Sequence, residues 1–255
     1  MLKRTLVFAY GVACYAIFFA TFLYALGFVG NFVVPASMDG VPRMGIPQAL
    51  AIDIGLLGLF AVQHSLMARP FFKRWLTRFI PEAAERSTYV LVSSIALIAL
   101  FAFWQPLGGE IWIVTSPLGQ ALLYGAFFTG WMLVLVSTFL INHFDLFGLR
   151  QVWLQLLGKP YTHLKFGTPG PYKLVRHPLY LGWLLAFWAT PTMTATHLLF
   201  AVMTTAYILI AIQFEEHDLI DSLGDDYRRY RERVPMIIPF RRRSRRASAA
   251  TSRIV

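Results

Sequence analysis

Charge is scarce in this chain and cysteine is nearly absent. Only 14% of its 255 residues are Asp, Glu, Lys or Arg, where soluble domains carry roughly a quarter. A water-facing globular surface needs more, so a composition that is 57% hydrophobic and 16% aromatic points to a lipid-embedded protein. The one cysteine, Cys14, sits inside the first apolar run, which excludes a disulfide framework and a thiolate metal cluster. Also missing are a phosphate-binding Walker loop, a dinucleotide-binding glycine fingerprint and a Gly-x-Ser-x-Gly elbow. The chemistries those motifs serve find no support here.

The net charge of +10 is concentrated rather than general. From Arg228 onward there are ten arginines and a single acid, Glu232. The run Arg241-Arg242-Arg243-Ser244-Arg245-Arg246 follows the last apolar segment directly. An anionic leaflet attracts such clusters by about 1 kcal/mol per basic residue. We therefore read residues 241–255 as a disordered basic tail and lipid-surface anchor, and expect no nucleic-acid partner and no obligate protein partner. Residues 1–240 read as one membrane domain. The apolar run 5–29 is too long for a signal-peptide core and has no small-x-small cleavage site, so it reads as a retained first span.

Further apolar segments cover 46–67, 87–104, 118–141, a short one at 179–190, and 196–214. Most approach the roughly 20 residues a helix needs to cross hydrocarbon. This predicts an all-α polytopic bundle of about five to six spans, the last two forming a hairpin with its apex at Thr190-Pro191-Thr192. Basic residues alternate between loops. Arg69, Lys73, Arg74, Arg78 and Arg86 lie between spans two and three, and Arg150, Lys159, Lys165, Lys173 and Arg176 between spans four and five. The alternate loops hold only Arg43. The positive-inside rule then predicts cytoplasmic termini and a cytoplasmic active site in a bacterial inner membrane. A hairpin would bring His177 at its entrance and Glu215 at its exit to the same face.

Several clusters could carry chemistry on that face. Residues 165–178, rich in Gly and Pro, specify irregular backbone with free polar groups. Glu215 and Glu216 end the apolar run 196–214, where paired acids oppose the helix dipole and so ask for another reason to be there. Tyr227 and Tyr230, three apart in a short amphipathic segment, could close over the site. His64 and Arg69 at the end of span two, and Asn142, His143 and Asp145 at the end of span four, are expected at the same depth. His197 falls toward the opposite face, His163 in a loop, and the acid Asp53 within a span without an assignable partner. No metal-ligand spacing is present.

Arg176-His177-Pro178-Leu179-Tyr180-Leu181-Gly182, then Glu215-Glu216-His217-Asp218-Leu219, then Gly224-Asp225-Asp226-Tyr227-Arg228-Arg229-Tyr230 and Val234-Pro235 resemble the C-terminal signature of integral-membrane methyltransferases. That superfamily includes isoprenylcysteine carboxyl methyltransferase and phospholipid N-methyltransferases. Gln63-His64-Ser65, Arg69-Pro70, Glu85-Arg86-Ser87-Thr88-Tyr89 and Asn142-His143-Phe144-Asp145-Leu146-Phe147-Gly148 are similar to its NnrU-type branch. The resemblance implies S-adenosylmethionine (SAM) bound by residues within about 165–240. Tyr172, Val175, Arg176, His177, Pro178, Tyr180 and Tyr227 would line it, and Glu215 and Glu216 would hold its polar ends.

Within that branch the likeness implies a small volatile thiol as acceptor, methanethiol becoming dimethyl sulfide. The reactive form is the thiolate, so a base is needed at neutral pH. His64 and His143 are the candidates, with Asn142 and Asp145 as orienters and Arg69 or Arg176 to hold the anion. Three rivals stay open, among them a lipid or isoprenylcysteine-type acceptor and a haem-binding NnrU-type isomerase in which the histidines ligate iron. A third is a non-enzymatic membrane module whose histidines are structural.

Overall fold

The structure, a computed structural model, describes residues 1–162, 164 and 166–240. His163, Lys165 and the basic tail lie outside the described residues. Helices α1 (Leu2–Gly30) and α2 (Ile46–Ala68) are followed by a short α3 (Pro70–Leu76), then α4 (Glu82–Phe103), strand β1 (Glu110–Ile113) and α5 (Pro117–Ile141). Two short helices, α6 (His143–Leu146) and α7 (Leu149–Leu156), and a 3-10 turn at Gly170–Lys173 lead to α8 (Pro178–Trp188). Strand β2 (Thr192–Thr194), α9 (Ala195–Leu223) and α10 (Asp225–Arg233) complete the chain. The protein is an all-α polytopic bundle. Five helices, α1, α2, α4, α5 and α9, are long and apolar enough to cross a membrane.

The remaining apolar segment is shorter. Helix α8 has 11 residues, about 16 Å, too short to span hydrocarbon alone. Strand β2 pairs antiparallel with β1, Glu110 opposite Thr194 and Ile113 opposite Thr192. The α4–α5 and α8–α9 connections therefore lie at one end of the bundle, with the chain after Trp188 leading into β2. Thr194 restarts the helix by accepting the His197 N–H at 3.0 Å, an N-cap that satisfies one orphan donor. The hairpin expected from the sequence is present.

Helix α9 continues to Leu223, well past the apolar run that ends at Phe214. Loss of hydrophobicity marks where a helix leaves lipid, not where it stops. Gly224, at φ 59°, is what ends it. Glu215 and Glu216 therefore lie two turns inside the helix, and the expected conflict with a helix C-terminus is corrected.

Helices α5 and α8 make the tightest contact in the bundle. A Cβ added to Gly182 would lie 2.8 Å from the Gly130 carbonyl oxygen and 2.9 Å from the Val134 nitrogen. One on Gly130 would lie 2.6 Å from the Ala186 nitrogen. Small residues let two backbones touch where lipid gives helices no hydrophobic reason to associate. This contact fixes α8, and with it His177 at its N-cap. Toward the opposite end, Asp53 is fully buried on α2 and accepts the Gln105 N–H at 2.9 Å, which supplies the partner missing from the sequence.

Candidate active site

A single cavity of about 2090 Å³ opens among α1, α2, α4, α5, α8 and α9 and under the loop that precedes the 3-10 turn. Of the expected site residues, Tyr172, Arg176, His177, Tyr180, Glu215 and Tyr227 line it, and so do His64, Arg69, Asn142, His143 and Asp145. Val175, Pro178 and Glu216 do not border it. Val175 and Pro178 are buried where the chain turns into α8, and their role is packing.

The two neighbouring acids of α9 have separate fates. Glu216 is 5% exposed. Its Oε1 accepts from Arg176 Nε at 2.7 Å and lies 3.0 Å from His177 Nε2, and Arg231 stands 3.6 Å from Oε2. Arg176 also donates to the carbonyls of Arg231 and Val234. The Arg176 and His177 N–H groups donate to the carbonyls of Pro235 and Met236. Together these bonds clamp the α8 entrance, α9 and the chain after α10 into one unit. Arg176 borders the cavity, but its Nε and Nη1 donate within this clamp rather than toward an anionic ligand, unlike the expected duty.

Glu215, one residue earlier, projects into the cavity and is about half exposed, with His177 Nδ1 3.9 Å away. The Tyr180 hydroxyl stands beside it. Tyr172 and Tyr227 border the same space, and α10 is pinned over it by the Tyr230 hydroxyl, which donates to the Tyr172 carbonyl at 2.6 Å. Burial, and after it the Glu215 carboxylate, push the Tyr172 phenol up. Burial and the Glu216 charge do the same to Tyr227. Burial, opposed by Arg176, pushes Tyr230 up to about 12. All three phenols stay neutral donors at physiological pH. A carboxylate ringed by neutral phenols and aromatic faces suits a cationic ligand with hydroxyl groups.

Another wall of the cavity carries an imidazole. His64 Nε2 lies 2.8 Å from the Tyr89 hydroxyl and Nδ1 3.2 Å from that of Ser93, while the ring stacks on Phe60. Both hydroxyls can donate or accept, so the ring can pass a proton and be reset. Arg86 lies over the Tyr89 ring at 5.1 Å and donates through Nε to the Leu146 carbonyl. It places positive charge near His64 and Tyr89. Tyr207 joins this polar band through Ser65 at 3.1 Å. Tyr89, Arg86, Ser93 and Tyr207 were given no site role from sequence, although Arg86 and Tyr89 belong to the Glu85–Tyr89 motif of the resemblance. A helical spacing of Arg86, Tyr89 and Ser93 at one end of an apolar run was the available signal.

His143 is held more completely. Asn142 at φ 106° ends α5 and caps α6 by accepting the Asp145 N–H at 3.0 Å. That sharp turn swings His143 inward, 3% exposed, against Phe139 and Phe147. Thr138 donates its one hydroxyl proton to Leu135, so its oxygen accepts from His143 Nδ1 at 2.8 Å. Nε2 is then the acceptor of the Tyr15 O–H at 2.8 Å. Burial lowers the His143 pKa, which keeps the ring neutral. The expectation that Asn142 and Asp145 orient this ring is corrected: Asn142 shapes backbone, and Asp145 binds Arg150 and Tyr161. Arg69, offered as an anion holder, pairs with Asp218 at 3.3 Å and lies over Phe214.

The sequence is similar to those of known proteins. The chain is 57% identical over 239 residues to a methanethiol S-methyltransferase of Crocosphaera subtropica, covering 94% of each. It is 54% identical to a methanethiol S-methyltransferase of Mycobacterium tuberculosis, covering 94% of this chain and 98% of that one. It is 30% identical to nurim of Sus scrofa, over 78% of this chain and 87% of that protein. No protein-family model matches the chain, and no solved structure matches it.

Proposed function

The chain belongs to the methanethiol S-methyltransferase family, and from that premise we propose that it methylates methanethiol to dimethyl sulfide with SAM as methyl donor. The observation that carries this reading is the division of one cavity between a free carboxylate among phenols, Glu215 with Tyr172, Tyr180 and Tyr227, and a hydroxyl-held imidazole, His64. SAM suits the first group: it is a cation with ribose hydroxyls and an ammonium, and the cavity offers a carboxylate, neutral phenol donors and aromatic faces in ample volume. Bound there, SAM supplies an electrophilic methyl group on a sulfonium.

The chain's own residues do the rest. Glu215 accepts hydrogen bonds from the polar end of the donor, while Glu216, Arg176 and His177 hold the wall that presents it. His64 takes the thiol proton, and Tyr89 and Ser93 keep the ring aimed and reset it. Arg86 favours the thiolate through its positive charge. Alignment of sulfur with the methyl carbon by a tight site contributes about 7–11 kcal/mol in well-oriented systems. His143 is a structural histidine in this reading, because Tyr15 caps the lone pair a base would need. The engagement of both ring nitrogens of His143 weighs equally against iron ligation by that ring.

The alternation of basic loops supports a cytoplasmic position for this face and both termini in a bacterial inner membrane, within reach of soluble SAM. Residues 1–240 form one methyltransferase domain, with 165–240 supplying most donor contacts. Headspace gas chromatography on purified protein tests the reaction: dimethyl sulfide forms only when methanethiol and SAM are both present. Glu215→Gln should weaken SAM binding by roughly 10–100-fold in calorimetry, the loss of a charge-assisted hydrogen bond. His64→Ala should cut turnover by about a hundredfold or more with SAM binding intact. Full turnover in His64→Ala would remove it as the base.

A further inference from the structure

We infer that the acceptor side of the cavity is a deep apolar chamber built for an alkyl chain, so that the enzyme methylates alkyl thiols well beyond methanethiol. The inference rests on the thiol-methylating reading of the same site and names its substrate class.

The cavity is far longer than that reaction requires. Helix α4 borders it from Glu82 to Phe101, about 28 Å of helix, and α9 from Phe200 to Leu223, about 35 Å. The apolar part of the α9 stretch, Phe200 to Phe214, accounts for about 21 Å of this. Sites for drug-sized ligands occupy about 300–1,000 Å³. A SAM-sized ligand therefore leaves half or more of the 2090 Å³ unfilled, and methanethiol has two heavy atoms with which to fill it.

Beyond the band of His64, Tyr89 and Ser93, the walls change character. Phe22, Val29, Leu97, Phe101, Trp183 and Phe200 border the cavity there. The hydroxyls in this stretch are already spent: Thr21 donates to the Ile17 carbonyl, Ser94 to that of Val90, and Thr204 to that of Phe200. The Trp131 indole N–H has no oxygen partner, and its ring meets those of Phe22 and Trp183 edge to face. Such walls offer water too few partners to stay. An empty apolar void forfeits dispersion contacts on every side, which a flexible hydrocarbon chain would restore. Leu97 is one helical turn beyond Ser93, so a sulfur held at His64 has its chain directed into this chamber.

The reaction balances as for the smallest thiol. The S–H proton goes to His64 and then to water, and the sulfur forms a bond to the transferred methyl carbon as the donor's carbon–sulfonium bond breaks. A methyl alkyl sulfide and S-adenosylhomocysteine leave.

The test is a chain-length series from methanethiol to octanethiol with protein in nanodiscs, thiol concentrations referred to the aqueous phase, and sulfide products quantified by mass spectrometry. kcat/KM should rise about fourfold per added methylene until the chamber is full. Val29→Phe, at the far end, should lower kcat/KM for octanethiol at least tenfold and leave methanethiol unaffected. Without SAM, 1-bromohexane should quench tryptophan fluorescence saturably, and Trp183→Phe should reduce that quenching. Efficiency that falls from methanethiol to propanethiol, or quenching that stays linear and insensitive to Trp183, would overturn the inference while leaving methanethiol chemistry intact. Absence of turnover with every thiol would overturn the underlying thiol reading, and this inference with it.

Discussion

Glu216→Ala is the most telling single substitution, because it separates a buttress from a ligand contact. The Glu216 side chain is 7% exposed and binds Arg176, 10% exposed, and His177, 4% exposed. Removing the carboxylate leaves a buried guanidinium without its counter-charge, and breaking a buried pair this way costs about 3–5 kcal/mol. For a chain of this size each kcal/mol moves the unfolding midpoint by roughly 2–4 °C. The apparent Tm in detergent, followed by intrinsic fluorescence, should therefore fall by about 10 °C. Replacing both partners, Arg176→Met with Glu216→Leu, should lose less than the two single changes combined, since no charge is then stranded. SAM affinity at a temperature where the variant is folded should fall far less than in Glu215→Gln. A Tm within 1 °C of the parent, or a selective loss of SAM binding at unchanged Tm, would refute the buttress and return Glu216 to the ligand.

Three further outcomes follow from the same geometry. Gly182→Ala places a methyl group against backbone atoms of Gly130 and Val134, so α5 and α8 must part. A cost of about 1–3 kcal/mol should appear as a lower apparent Tm, and an unchanged Tm would mean the two helices are not in contact. Asn142 sits at φ 106°, so Asn142→Gly should lose only its cap while Asn142→Ala adds backbone strain of about 1 kcal/mol. Equal stability of the two variants in chemical denaturation would sink that account. Burial lowers the His143 pKa, so the folded state binds fewer protons than the unfolded one near the ordinary value of 6.5. The stability it contributes is full above that value and is lost as pH falls below it. The Tm should drop from pH 7 to pH 5 by less in His143→Asn than in the parent, and identical slopes would refute the assignment.

What this sequence determined by itself was the solvent it folds in, and with that most of the fold. Few charges and long apolar runs demand lipid, lipid demands helices whose backbone groups pair internally, and the alternation of Arg and Lys between loops orders the crossings. The short apolar segment before Pro191 already implied a hairpin, which made Glu215 and His177 neighbours before any coordinates. Tertiary structure alone decided which of two adjacent acids is free. Glu215 and Glu216 are chemically identical in sequence, but successive helical positions point about 100° apart. One therefore faces a cavity and the other faces Arg176 and His177. It also gave the two histidines different surroundings. Thr138 and Tyr15 come from α5 and α1 to close the ring of His143, whereas His64 keeps exchangeable hydroxyl partners on a cavity wall. The length of the cavity was equally hidden, because a residue facing an internal void and one facing a neighbouring helix are written with the same letters. Hydrophobic pattern records only that water is excluded from a position; what replaces the water is settled when the helices meet.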